Sequence, residues 1–181
     1  MMNEMIQNPI FPGFHPDPCM CRKGDDIYVV VSSNEWVPGL PIYHSKDMKH
    51  WELFSHALTN AEEPDLKKLP SAKGIWAPCL TYCEADDLFY LVYGVMNSMN
   101  ARYFDVDNYL ITAQDPKGPW SEPVYLHSMG FDASMFHDDD GKKYVVALEW
   151  ETRLAYEKPG PISIMEYDPE TKQMVGTPKL Y

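Results

Sequence analysis

The chain has 181 residues, of which 45% are hydrophobic, 13% aromatic and 23% charged, a balance that excludes a disordered, collagen-like or coiled-coil protein. Fifteen Lys and Arg against 27 Asp and Glu give a formal charge of −12, which argues against nucleic acid and membrane surfaces as partners, because neither phosphates nor anionic lipid would be neutralised. By length the chain would form one globular domain. Twelve Tyr, seven Phe and five Trp, with sixteen Pro and ten Gly cutting the chain into short pieces, point to an all-β protein.

The N-terminus, Met1 to Pro12, has no basic start followed by an apolar stretch, and the longest apolar run, Leu88 to Met96, is too short to cross a bilayer. The expected location is the cytoplasm. Ahead of the first strand stands His15-Pro16-Asp17-Pro18. Its two prolines fix φ on either side of one aspartate, so the carboxylate is held with little backbone freedom; the same residues also suit an ordinary turn. Cys19-Met-Cys21 follows, and farther on Cys79-Leu-Thr-Tyr-Cys83. On strands, residues two or four apart share a face but lie roughly 7 or 13 Å apart, too far for a disulfide within either pair. Neither spacing is that of a zinc knuckle, and reduced, packed thiols are the expected state.

Two phrases then recur along the chain. An acidic turn opens a buried strand in Asp25-Asp26-Ile27-Tyr28-Val29-Val30-Val31, again in Asp86-Asp87-Leu88-Phe89-Tyr90-Leu91-Val92-Tyr93, and again in Asp139-Asp140-Gly141-Lys142-Lys143-Tyr144-Val145-Val146. After the first comes Tyr43-His44-Ser45-Lys46-Asp47 leading to Trp51; after the second, Ile111-Thr112-Ala113-Gln114-Asp115 leading to Trp120. The third copy, Met165-Glu166-Tyr167-Asp168-Pro169, is looser and has Met174 in place of the Trp. Each repeat reads as four strands, in roughly Asp17 to Leu58, Trp76 to His127 and Asp132 to Tyr181. Units of this size match four-stranded antiparallel propeller blades, and a sandwich of twelve short strands is the alternative. The linker Thr59 to Gly74, with Glu62-Glu63-Pro64-Asp65, is expected to be a surface loop with at most one helical turn. Propellers close with four to eight blades. Three would leave the last blade's apolar face without a neighbour, so either the chain is a fragment or self-association through that face follows.

Three constellations open the repeats: Asp17 between its prolines, Trp76 in Gly74-Ile75-Trp76-Ala77-Pro78, and Asp132 in Gly130-Phe131-Asp132-Ala133-Ser134. A Trp can stack on the C–H face of a sugar ring while its N–H bonds a hydroxyl, although blade-to-blade packing is its commoner role. A carboxylate among small and apolar residues, as at Asp132, has a perturbed pKa when buried. A ring architecture would bring all three to one end of one axis, and two carboxylates with an aromatic suggest a glycosidase.

The ordered segments Asn8-Pro9-Ile10-Phe11-Pro12-Gly13-Phe14-His15-Pro16-Asp17-Pro18, Pro41-Ile42-Tyr43-His44-Ser45-Lys46-Asp47, Gly74-Ile75-Trp76-Ala77-Pro78, Gly118-Pro119-Trp120-Ser121-Glu122-Pro123 and Gly130-Phe131-Asp132-Ala133-Ser134 resemble glycoside hydrolase family 43, in particular its β-xylosidases, some of which are also α-L-arabinofuranosidases. The resemblance implies a five-bladed propeller and an inverting mechanism on xylosides or arabinosides of hemicellulose-derived oligosaccharides. It implies Asp17 as general base and Asp132 as the carboxylate that tunes and orients the acid. Trp76 and Ala77 fall where the family lines the sugar pocket, Trp150 where an aromatic meets the aglycone, and Trp36 in a further substrate-contacting stretch, Ser33-Asn34-Glu35-Trp36. The family's general acid is a Glu in a Glu-Gly-Pro-type motif on the fourth blade. No such motif occurs in the 181 residues, and Glu149, Glu151 and Glu157 stand in other contexts. The chain alone is therefore expected to be inactive, with no cofactor required and nothing that demands the axial calcium some relatives hold. A non-catalytic pentose-binding or assembly module is the alternative.

Overall fold

The structure is a computed structural model that describes residues 5–59, 65–100, 103–156 and 160–181. Glu62, Glu63 and Pro64 of the linker, and Glu157, lie outside the described residues. The chain forms three four-stranded antiparallel sheets, each in simple sequence order. The first holds β1 (Cys19–Lys23), β2 (Asp26–Val30), β3 (Gly39–Ser45) and β4 (Glu52–Leu58); the second β5 (Gly74–Cys83), β6 (Leu88–Asn100), β7 (Tyr103–Ala113) and β8 (Val124–His127); the third β9 (Phe131–His137), β10 (Lys143–Leu148), β11 (Ile162–Asp168) and β12 (Gln173–Leu180). Between the first two sheets the described part of the linker carries a single 3₁₀ turn, Leu66–Lys68, capped by the Asp65 carboxylate on the Lys67 N–H. The first strands of the three sheets, β1, β5 and β9, pack side by side. Four-stranded meanders sharing a line of innermost strands are propeller blades.

The acidic phrases are the β1–β2, β5–β6 and β9–β10 turns, where Gly24, Asp87 and Gly141 take the left-handed backbone that tight turns require. The middle sheet explains the longest apolar run. Phe89, Leu91, Tyr93 and Val95 of β6 face the first sheet, in a cluster with Val30, Leu40, Ile42, Ile75 and Leu80. The alternate residues Tyr90 and Val92 face the third sheet, with Leu110, Met135, Val145 and Tyr167. A strand covered on both faces needs no polar alternation, and each fully buried side chain of this size contributes about 1.5–3 kcal/mol.

An ion pair between a buried lysine and a solvent-accessible aspartate also ties the second sheet to the third. Lys143, only 4% exposed, places its Nζ 2.7 Å from Asp86 Oδ2. Burial would raise the Asp86 carboxyl, but hydrogen bonds from Lys143, Tyr90 and Cys83 overcome it and hold the group at about 2. On the face of the third sheet turned away from the second, Phe136, Tyr144, Glu166 and Val175 stand opposite one another across four strands. Phe136 and Val175 on this face are exposed.

Candidate active site

The site is built by the same irregularity repeated in all three sheets. Between the innermost strand and the next, two residues stand opposite one. In β5 the pairing skips from Trp76–Gly94 to Cys79–Val92, and in β9 from Phe131–Leu148 to Ser134–Val146. Ahead of β1, the Pro16 carbonyl accepts the Ser32 N–H at 3.0 Å while Cys19 pairs with Val30. The first extra residue is Asp17, Ala77 or Asp132, with φ of 51°, 41° and 52°. Left-handed backbone at a non-glycine residue costs on the order of 1–3 kcal/mol, and such bulges re-aim a side chain. Three at one register turn Asp17, Ala77 and Asp132 to the same end of the innermost strands. Prolines 18 and 78 follow two of them, at positions that owe the ladder no N–H.

Asp17 and Asp132 share one electrostatic site. The Asp132 carboxyl is raised above the usual carboxylate range, first by burial and then by the charge of Asp17. Both side chains keep solvent access. Asp17 Oδ2 accepts a 2.6 Å hydrogen bond from the Ser32 hydroxyl, and the Ser32 oxygen accepts 2.7 Å from the Ala77 N–H. Ser32 is 3% exposed, so the bulge of the second sheet fixes the carboxylate of the first through a buried hydroxyl.

Asp132 is aimed by a second buried polar residue. Asn108 is fully buried in β7, and its Nδ2 donates to the carbonyls of His127 (3.1 Å) and Gly130 (2.7 Å), clamping the connection that leads into Asp132. Gly130 must be glycine, because a Cβ there would lie 2.6 Å from the Leu148 carbonyl oxygen. Gly74, at φ 98°, is pressed onto the Asn34 carbonyl in the same way, where Ile75 and Asn34 exchange backbone hydrogen bonds.

The aromatic residues fall less uniformly. Trp76 is half-buried one residue before Ala77, but its indole N–H donates to the Ala72 carbonyl at 3.2 Å, so the donor expected for a sugar hydroxyl is already used within the chain. Its ring carries Lys73 Nζ at 5.4 Å from the centroid. Trp36 is 57% exposed and meets Phe14 edge-on at 5.2 Å; beside it Glu35 bonds Ser71 and the Ala72 N–H. Trp150 packs on Phe104 (4.9 Å) and Phe131 (5.7 Å), and those two phenyl rings stack at 4.9 Å. This trio reaches the residue before Asp132. Glu151, next to Trp150, is gripped by Arg153 at 2.8 and 2.6 Å. A cleft of about 300 Å³ lined by residues including His56, Leu58, Ile111 and Trp120 shares no residue with the carboxylate site. Among the described residues no group of three or more His, Cys, Asp or Glu is arranged to hold a metal.

The family model of glycosyl hydrolases family 43 matches the chain over residues 6–181. The chain belongs to this family. It is 44% identical over 175 residues to a β-xylosidase of Bacillus subtilis (strain 168) and 41% identical over 174 residues to xylosidase/arabinosidase 43B of Humicola insolens, matches that cover 97% and 96% of the chain but 32% of each relative. Among solved structures, xylan β-1,4-xylosidase from Bacillus halodurans C-125 superposes with a TM-score of 0.92 at 46% identity, over 97% of this chain and 33% of that one. The chain thus spans about a third of the length of these relatives.

Two residues that hold the bulges in place, Ser32 and Asn108, are not indicated by the sequence motifs. Ser32 ends an apolar run, Val29-Val30-Val31, where a polar residue reads as a strand terminus. Asn108 is the one amide inside a strand of alternating buried residues, a signal that was available.

Proposed function

We propose that this chain supplies the water-activating half of an inverting glycosidase acting on xylosides or arabinosides of hemicellulose-derived oligosaccharides. The observation that carries this reading is the pairing of Asp17 and Asp132 at equivalent bulges, close enough for the charge of one to raise the other. In an inverting reaction a carboxylate takes a proton from water as the water attacks the anomeric carbon, while a carboxylic acid on the other side of the bond protonates the leaving oxygen. Asp17 is the base: the Ser32 hydroxyl holds Oδ2 and leaves Oδ1 to receive the proton. Asp132 tunes and orients the acid, which it can do by presenting a carboxyl that resists ionisation. Trp76, Ala77, Trp150 and Trp36 contribute apolar surface to the sugar, with Trp76 acting through its ring face, since its N–H is engaged.

The acid is a glutamate supplied from outside these 181 residues. A positioned acid contributes typically 10² to 10⁴-fold, so the chain alone is expected to show no measurable hydrolysis. The test is a chimera in which the chain replaces the matching third of the Bacillus subtilis relative, assayed on nitrophenyl β-xyloside and nitrophenyl α-L-arabinofuranoside. The chimera should turn over at least one of them with inversion at the anomeric carbon and lose roughly 10² to 10⁴-fold on Asp17→Ala. Asp17-dependent hydrolysis by the 181-residue chain alone, or a chimera indifferent to Asp17→Ala, would overturn the reading.

A further inference from the structure

The hairpin of β6 and β7 outruns the innermost strand beside it. β5 begins at Gly74, opposite Met96, yet β6 and β7 stay paired from Ser98–Asp105 to Asn100–Tyr103. Four further residues of β6 carry the hairpin about 13 Å past the start of β5, at the end of the sheets where the bulges place Asp17, Ala77 and Asp132. Between Met96–Val106 and Ser98–Asp105 the register slips by one residue on β6. That slip sets Met99, rather than Ser98, opposite Phe104 on the same face of the hairpin.

This face is turned to the third sheet. Alternate residues of β7 reach that sheet in turn: Leu110 packs with Met135 and Val145 in the core, Asn108 donates to the Gly130 carbonyl, and Phe104 lies parallel to Phe131 with Trp150 angled against both. Met99, opposite Phe104, is exposed. The other face of the hairpin is tied down. Asp107 accepts hydrogen bonds from Asn97 Nδ2 (3.1 Å) and the Ser128 hydroxyl (2.5 Å), and Ser128 bonds Tyr125 in turn. β6, β7 and the end of β8 are thus joined below Met99, which makes the hairpin a fixed wall.

In an inverting reaction the acid and the base act on opposite sides of the bond. With Asp17 as base on the first sheet and Asp132 beside the acid on the third, a wall that begins at Phe131 stands on the leaving-group side. We propose, on the basis of those two roles, that Met99 is a specificity-determining residue: with the Phe104 and Trp150 rings it takes the apolar C–H face of the pentose that leaves. Aromatic faces suit sugar C–H groups, and an unbranched thioether adapts to whichever ring face is presented. A leaving group of one atom does not reach Met99.

The test uses the chimera with the Bacillus subtilis relative, which keeps the whole chain. Met99→Ala should lower kcat/KM by roughly tenfold on xylobiose, or on arabinobiose where arabinosides are preferred, and leave the matching glycosyl fluoride unchanged. Tyr103→Ala, exposed on the other face of the hairpin, should change neither. An equal loss on both substrates, or none on the disaccharide, would overturn the proposal. A chimera indifferent to Asp17→Ala sinks the catalytic reading instead, and binding then decides the role of Met99. With the methionine methyl carbons labelled and Met99 assigned through Met99→Leu, its NMR signal should move as the disaccharide is added, while that of the exposed Met20 on the first sheet stays fixed. A Met99 signal that moves no more than that of Met20 would overturn the proposal.

Discussion

At the scale of single residues, the site depends on a hydroxyl as much as on its carboxylates. Ser32 serves two bulges at once, donating to Asp17 and accepting from Ala77. Ser32→Ala leaves a backbone N–H and a carboxylate oxygen without a partner and is expected to cost about 1–3 kcal/mol of stability in urea titrations. Asp132 has the opposite sign. Its carboxyl is raised in the folded chain, so ionising it opposes folding at every pH above its folded pKa, and that opposition vanishes as pH falls below the ordinary carboxylate range. Asp132→Asn should therefore raise the melting temperature at pH 7, with the gain disappearing near pH 3. A gain of equal size at both pH values would show that charge is not its origin.

The elements carry the second level of explanation. The four-strand repeats were legible because each carries the same acidic turn after its first strand and a large apolar residue, Trp51, Trp120 or Met174, near its last, a pattern that steric and packing rules enforce locally. The bulges were not legible. Ala77 breaks the residue type that Asp17 and Asp132 share, and the equivalence of the three lies in register with a partner strand, which sequence spacing does not reveal. Between sheets, the Lys143–Asp86 pair predicts a measurable weakness. Asp86→Asn would leave the buried Lys143 without its counter-charge, and because the Asp86 side chain is 32% exposed the cost is expected to fall below the roughly 3–5 kcal/mol of fully buried pairs. Because the Asp86 carboxyl is depressed to about 2, its contribution is present above the ordinary carboxylate pKa and fades as pH falls from about 4 through 2. An acid titration of stability in which Asp86→Asn shows the same slope as the parent chain would contradict this.

On the scale of the whole molecule, the two apolar layers between sheets account for its core, while the outer face of the third sheet displays Phe136 and Val175 to solvent with Tyr144 beside them. We propose that the chain self-associates through this face. Light scattering should give a mass that rises with concentration, and Phe136→Asp should suppress the rise; a constant monomer mass over the same range would rule out association through this face. The acidic, aromatic-rich composition is explained by aromatic strands packed in layers around two carboxylates that the fold brings together. That convergence is tested most directly by following the Asp132 carboxyl carbon by NMR across an acid titration, in the parent chain and in Asp17→Asn. The carboxyl should titrate above the ordinary aspartate range in the parent and move part of the way back when the Asp17 charge is removed, the remainder being due to burial. A midpoint unmoved by Asp17→Asn would contradict the shared site.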